Sequence, residues 1–224
     1  MPHSRSWPIA RATVSRVMTP SQPAVPRPIL CAVIIWVLAI ATGLVVLNVY
    51  SATPGADATE PASRPADPAL AGPSRRGAHA TLIMAIHPRC ACSRASLAEL
   101  ARLMTRLRGR VDAYALFVHP PADDDWASSD LVAAARRIDG VVVMADPGGR
   151  KSRRLGATTS GTVALFDASS RLRFTGGLTP RRGHQGDSVG RQQILAIVEE
   201  GRSPASRSAV YGCALAAHAP WESL

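Results

Sequence analysis

Thr81-Leu82-Ile83-Met84-Ala85-Ile86-His87-Pro88-Arg89-Cys90-Ala91-Cys92-Ser93 is the stretch that decides the fold. Its first six residues form an apolar run of strand length, closed by a proline turn. From Ser93 to Arg108, Leu97, Leu100, Leu103, Met104 and Leu107 recur at intervals of three and four, the spacing of a helix with one buried face. Two thiols therefore sit where a strand ends and a helix begins. Amides and the positive dipole end of a helix N-terminus stabilise a thiolate there, which suits redox or metal chemistry. Ser96 and Glu99 have capping-box spacing, which predicts a first regular turn that begins later than Ser93.

Working outward, Val111–Val118 reads as a second buried strand. Ser129–Ile138 reads as a short helix ending at Gly140, and Val141–Ala145 as a third strand. Thr162–Asp167 and Arg171–Thr175 pair as a hairpin through Ala168-Ser169-Ser170. Val189–Glu200 closes the pattern as an amphipathic helix, with Asp187 the expected cap. The order β-α-β-α-β, then β-β-α, predicts an α/β fold: a mixed sheet flanked by helices on both faces. That domain covers residues 79–202, and 203–224 form a C-terminal tail containing Cys213, His218 and Trp221.

Toward the N-terminus, residues 29–47 run 19 positions without a charge. A bilayer-spanning helix needs about 20 apolar residues, more than the core of a cleaved signal peptide. The leading expectation is one transmembrane helix over residues 29–50, with a signal peptide as the second reading. Residues 1–28 carry Arg5, Arg11, Arg16 and Arg27 and no acid, which by the positive-inside rule makes them cytoplasmic. The expected address is a bacterial inner membrane, single-pass, with the C-terminal domain periplasmic. Residues 51–78, rich in Pro, Ala, Ser and Gly, read as a flexible linker that holds the domain near the membrane. Cys31, inside the span, reads as an inert thiol.

The chain of 224 residues carries a net charge of +10, almost all from arginine, with Lys151 its one lysine. The charges are scattered rather than interleaved with aromatics, so nucleic acid is not an expected partner. Aromatics are only 4% of residues, so the core must be aliphatic. Arg150-Lys151-Ser152-Arg153-Arg154 reads as an exposed face. His119, beside Pro120-Pro121 and Asp123-Asp124-Asp125, reads as part of a solvated loop.

Two extended residues span about 6.6 Å, close to the upper end of the roughly 4.4–6.8 Å favoured between disulfide Cα atoms. A Cys90–Cys92 bond is thus feasible, strained and readily reduced. Arg89 and Arg94 add positive charge beside the sulfurs. Three cysteines lie beyond the span, so one is left over if two pair. Cys213 is open to three readings: a second resolving thiol, a partner of an active-site cysteine, or a small apolar residue. His184, in Arg182-Gly183-His184-Gln185-Gly186-Asp187, is open to proton transfer, metal ligation or a bond within its own loop. Two soft thiolates and a histidine also suit Cu(I), so Cys90, Cys92 and His184 form an alternative metal set with copper as cofactor. Otherwise no cofactor is expected.

The β-α-β order with cysteines at the first strand end resembles the thioredoxin fold. More narrowly, the chain resembles the membrane-anchored thioredoxin-like proteins called RedB, through 87-HPRCACSRASLAEL-100, Gly176-Gly177-Leu178-Thr179, Arg182–Asp187 and Tyr211-Gly212-Cys213-Ala214-Leu215. The resemblance implies a thioredoxin-like redox protein with no particular substrate; the expected partners are protein thiols and disulfides in the periplasm. It makes Cys90 the attacking thiol and Cys92 the resolving one. The motif departs from ordinary thioredoxins in having Ser93 where a Cys-x-x-Cys pair ends. It departs again at Thr158-Thr159-Ser160-Gly161-Thr162, where thioredoxins carry a cis-proline. That proline tends to block metal access to the sulfurs. Gly161 instead suits close backbone approach. Thiol–disulfide exchange leads, copper binding or delivery is second, and a domain used only for contacts is third.

Overall fold

The computed structural model describes residues 26–56, 80–122, 124–202 and 206–215. The chain divides into two compact units, one ending at Leu44 and one beginning at Val45. The first contains most of helix α1 (Arg27–Ala52), whose mean hydropathy of 2.9 and full exposure make it long and apolar enough to cross a membrane. A signal sequence passes the same test. The helix runs two residues past position 50. Just beyond it, the Gly55 amide donates to Val210 O at 2.8 Å. The start of the expected linker is therefore tied to the domain, and residues 57–79 lie outside the described ones.

The second unit is built on a five-stranded sheet of order β3-β2-β1-β4-β5. Its elements are β1 (Ala80–Ile86), α2 (Ser93–Arg106), β2 (Val111–His119), a 3-10 turn (Asp124–Ser128), α3 (Asp130–Arg136), β3 (Val141–Pro147), α4 (Arg150–Arg154), β4 (Thr162–Asp167), β5 (Leu172–Gly176) and α5 (Val189–Glu200). β1 is central, parallel to β2 and antiparallel to β4, with Ile86 opposite Phe117 and Ala85 opposite Thr162. A central strand buries both faces, which is why its sequence reads as a continuous apolar run.

The alternation of side chains splits the core in two. Leu82, Met84 and Ile86 face α2, α3 and α5, packing with Leu100, Leu103, Phe117 and Ile194. Ile83 points the other way, against Tyr114, Leu155 and Phe166. Two parallel crossovers, an antiparallel hairpin and helices on both faces make this a thioredoxin-like fold.

Several local expectations change on contact with the packing. α2 begins at Ser93, capped by Cys92 in the helical region without a side-chain bond, so the Ser96–Glu99 box does not form. Glu99 is fully buried instead, and its carboxylate accepts from Arg102, Arg191 and the Gly186 amide. Ser188, not Asp187, caps α5 by accepting from the Arg191 amide, while Asp187 pairs with the Arg191 side chain. His119 belongs to β2 rather than to a solvated loop, buried and stacked on Trp126 at 4.9 Å. The stretch from Arg150 forms a short helix whose Ser152 is buried against the Asp146 carboxylate.

Candidate functional site

The site lies at the carboxyl end of β1. After Ile86 the chain folds through two tight turns, in which the Cys90 amide donates to His87 O and the Ser93 amide donates to Cys90 O. The Arg89 amide donates to the His87 ring, and the hydroxyl of Ser129, which caps α3, donates to Pro88 O. The loop is thus fixed from within and from the neighbouring helix. This gathers Cys90, Cys92 and Ser93 at the first turn of α2.

The third sulfur arrives from far along the chain. Residues 206–215 return to the domain, which extends its packed part well past position 202. Arg207 bridges Thr175 in parallel, and Ala214 bridges Thr159 antiparallel. The Ser160 amide donates to Cys213 O and the Leu215 amide to Thr158 O, both at 2.8 Å. Gly212 sits so close to this edge that a Cβ there would lie 1.9 Å from Ser160 O. Arg182 donates to Gly212 O.

Cys90 Sγ is 3.0 Å from Cys213 Sγ, and the three sulfurs of Cys90, Cys92 and Cys213 lie within 4.8 Å of one another. All are free thiols. Cys90 is only 3% exposed; Cys92 and Cys213 are half-buried.

Burial by itself raises the Cys90 pKa. Hydrogen bonds from the Cys213 thiol, the Ser93 hydroxyl and the two backbone amides outweigh it and hold Cys90 below the ordinary thiol range. Ser93 Oγ is 2.7 Å from Ser160 Oγ, which in turn accepts from the His87 amide at 2.9 Å. For Cys213, burial and the charge on Cys90 act together and push it up to about 12. Burial and the Cys90 charge likewise raise Cys92, with Arg182 opposing them. Cys90 is thus the most readily ionised of the three thiols.

The other expected site residues divide. Gly161 has φ +93°, and a Cβ there would approach Ser96 Oγ at 2.8 Å; its amide donates to Ala85 O. Glycine at 161 thus lets the 158–161 edge lie against α2. Arg89 is exposed on the turn. His184 is exposed and bonds to Arg182 O within its own loop, and the sulfur cluster is completed by Cys213 instead. No cis peptide bond occurs among the described residues. Thr159 and Ser160 shape the site from the polar, proline-free segment before the hairpin, and Arg182 from the glycine-rich loop that also carries His184; spacing alone assigns none of them a role. His218 and Trp221 fall outside the described residues.

No known protein family matches the chain, and no curated protein does. Among solved structures it is similar to a hypothetical protein from Sinorhizobium meliloti, at 17% identity and a TM-score of 0.57 over 73% of this chain and 97% of that one. It is similar also to an uncharacterized conserved protein from Geobacillus kaustophilus, at 18% identity and a TM-score of 0.53 over 73% and 92%. An exposed lipoprotein thioredoxin from Streptococcus pneumoniae matches at 16% identity and a TM-score of 0.40 over 56% and 87%. The likeness is one of fold.

Proposed function

We propose that the protein is a thiol–disulfide oxidoreductase, held by α1 to the bacterial inner membrane with its domain on the periplasmic side, and related to the RedB proteins. The observation that carries this reading is Cys90: a thiol whose ionisation is favoured, at a strand–helix junction, with two further thiols within 4.8 Å. A thiolate attacks a disulfide and a neighbouring thiol releases the mixed product. Proteins with disulfides or thiols are the substrates this chemistry implies. The arginines in residues 1–28 support the orientation.

The test is a redox titration of the full chain in detergent, read by alkylation mass shift. Two cysteines oxidising together at a potential between roughly −120 and −300 mV would support the reading. Cysteines that stay reduced over that range would remove it. Reporter fusions at either end of α1 test the orientation.

A second reading, Cu(I) binding, is favoured by the clustering of three soft sulfurs. Its ligands are Cys90, Cys92 and Cys213 rather than His184. It ranks below exchange because two of the three thiols are held protonated, which a metal would have to reverse. Anaerobic Cu(I) titration separates the two sets: Cys213→Ser weakens binding if the sulfurs hold the ion, and His184→Ala does not.

A further inference from the structure

Exchange through Cys90 needs a second thiol, and two are near. We propose that Cys213 is the resolving thiol for Cys90, and that residues 206–215 form a strap which oxidation pins over the nucleophile. This rests on the exchange reading above and names the pair that it leaves open.

Three features of the fold support it. First, the Cys213 backbone is positioned by main-chain bonds on both sides of Thr159, so its sulfur is delivered to Cys90 by a strand register rather than by a rotamer choice. Second, the seat is shaped for this segment: Gly212 leaves no room for a side chain against Ser160 O, and Arg182 holds the Gly212 carbonyl. Third, Cys90 is buried in the presence of the strap, while Cys92, fixed in helical conformation at the head of α2, is half-exposed. A bulky disulfide reaches Cys90 when the strap lifts, and the strap closing afterwards brings the resolving sulfur with it.

The steps balance. The Cys90 thiolate attacks one sulfur of the incoming disulfide; the other sulfur leaves and takes a proton. Cys213 then gives up its proton, and its sulfur attacks Cys90 Sγ as the bond to the substrate breaks. The second substrate thiol departs. Cys90 and Cys213 are oxidised by two electrons, and the incoming disulfide is reduced to two thiols.

The experiment treats the reduced full chain in detergent with oxidised glutathione, quenches it with acid and maps the products by mass spectrometry. Wild type and Cys92→Ser should both yield a Cys90–Cys213 cross-linked peptide free of glutathione. Cys213→Ser should keep glutathione on Cys90, with release slowed about 10-fold or more. Hydrogen exchange at the Ser160 and Leu215 amides should slow on oxidation of the wild type. A Cys90–Cys92 bond as the wild-type product, with glutathione leaving Cys213→Ser at the wild-type rate, overturns the strap and leaves the exchange reading standing. Unchanged exchange at both amides also overturns it. Absence of glutathione and of any cross-link from every variant overturns the exchange reading and this inference together.

Discussion

The sulfur cluster joins two regions built by opposite means. The β1–α2 junction is local: a central strand, two hydrogen-bonded turns and a helix cap place Cys90 and Cys92 within one short stretch of chain. The segment 206–215 is non-local, and its cysteine stands 123 positions from Cys90. The junction is anchored by apolar burial, with Leu82, Ile83, Met84 and Ile86 fully inside. The strap is held mainly by a few main-chain bonds and two buried apolar side chains, Val210 and Leu215. Regions with few apolar contacts open at low free-energy cost, so the two halves of one site should differ in how easily they come apart.

The largest effect that probes this contrast is loss of the nucleophile. Cys90→Ser should lower the rate of reaction with oxidised glutathione by about 10³-fold or more while leaving the far-ultraviolet circular dichroism intact, because the thiolate is the reacting species. Retained reactivity would move the nucleophile to Cys92. Next comes Gly212→Ala, which puts a methyl group into Ser160 O. It should detach the strap at a cost of about 1–3 kcal/mol, seen as faster exchange of the Ser160 and Leu215 amides with the β1 amides unchanged. Loss of protection throughout the sheet would mean that the two regions are one cooperative unit.

Smaller still, Ser160→Ala leaves Ser93 without its hydroxyl partner and should raise the Cys90 pKa, read by thiolate absorbance as an ionisation that begins at higher pH than in the wild type. The pH dependence of the reduced form has two parts. Cys90, depressed on folding, stabilises the fold above its unfolded value of about 8.5, and that contribution fades as the pH falls toward its folded value. Cys213, raised on folding, stabilises the fold below about 8.5, and this is lost as the pH climbs. Alkaline denaturation of the reduced protein should therefore steepen toward about 12, and Cys213→Ser should flatten it. The smallest change expected is with His184→Ala, whose ring is exposed and bonded within its own loop: an exchange rate within about 2-fold of wild type. A large loss there would return the histidine to the site.

The same contrast separates what could be read from the chain. β1, the hairpin strands and α5 follow from apolar runs and periodicity, because those signals are local. The helix begins at Ser93, where its periodicity puts it, but the capping box is absent because Ser96 and Glu99 answer to distant partners: Ser96 packs under Gly161, and Glu99 is bound by Arg191 and the Gly186 amide. His119 looks solvated from its proline and acid neighbours, yet the sheet register carries it one residue past Val118 and under Trp126. Cys213 was visible as an odd thiol, but its place depends on a bridge to Thr159 that no nearby residue announces.

The link from His87 through Ser160 and Ser93 to Cys90 is anchored at one end by the main chain. A peptide N–H only donates, so one lone pair of Ser160 is always occupied, while its hydrogen and its second lone pair are left for Ser93. The two hydroxyls can exchange donor and acceptor roles without moving their oxygens. The main chain just past the central strand thus holds a small relay in place, one that turns a hydrogen toward the sulfur when the sulfur becomes charged.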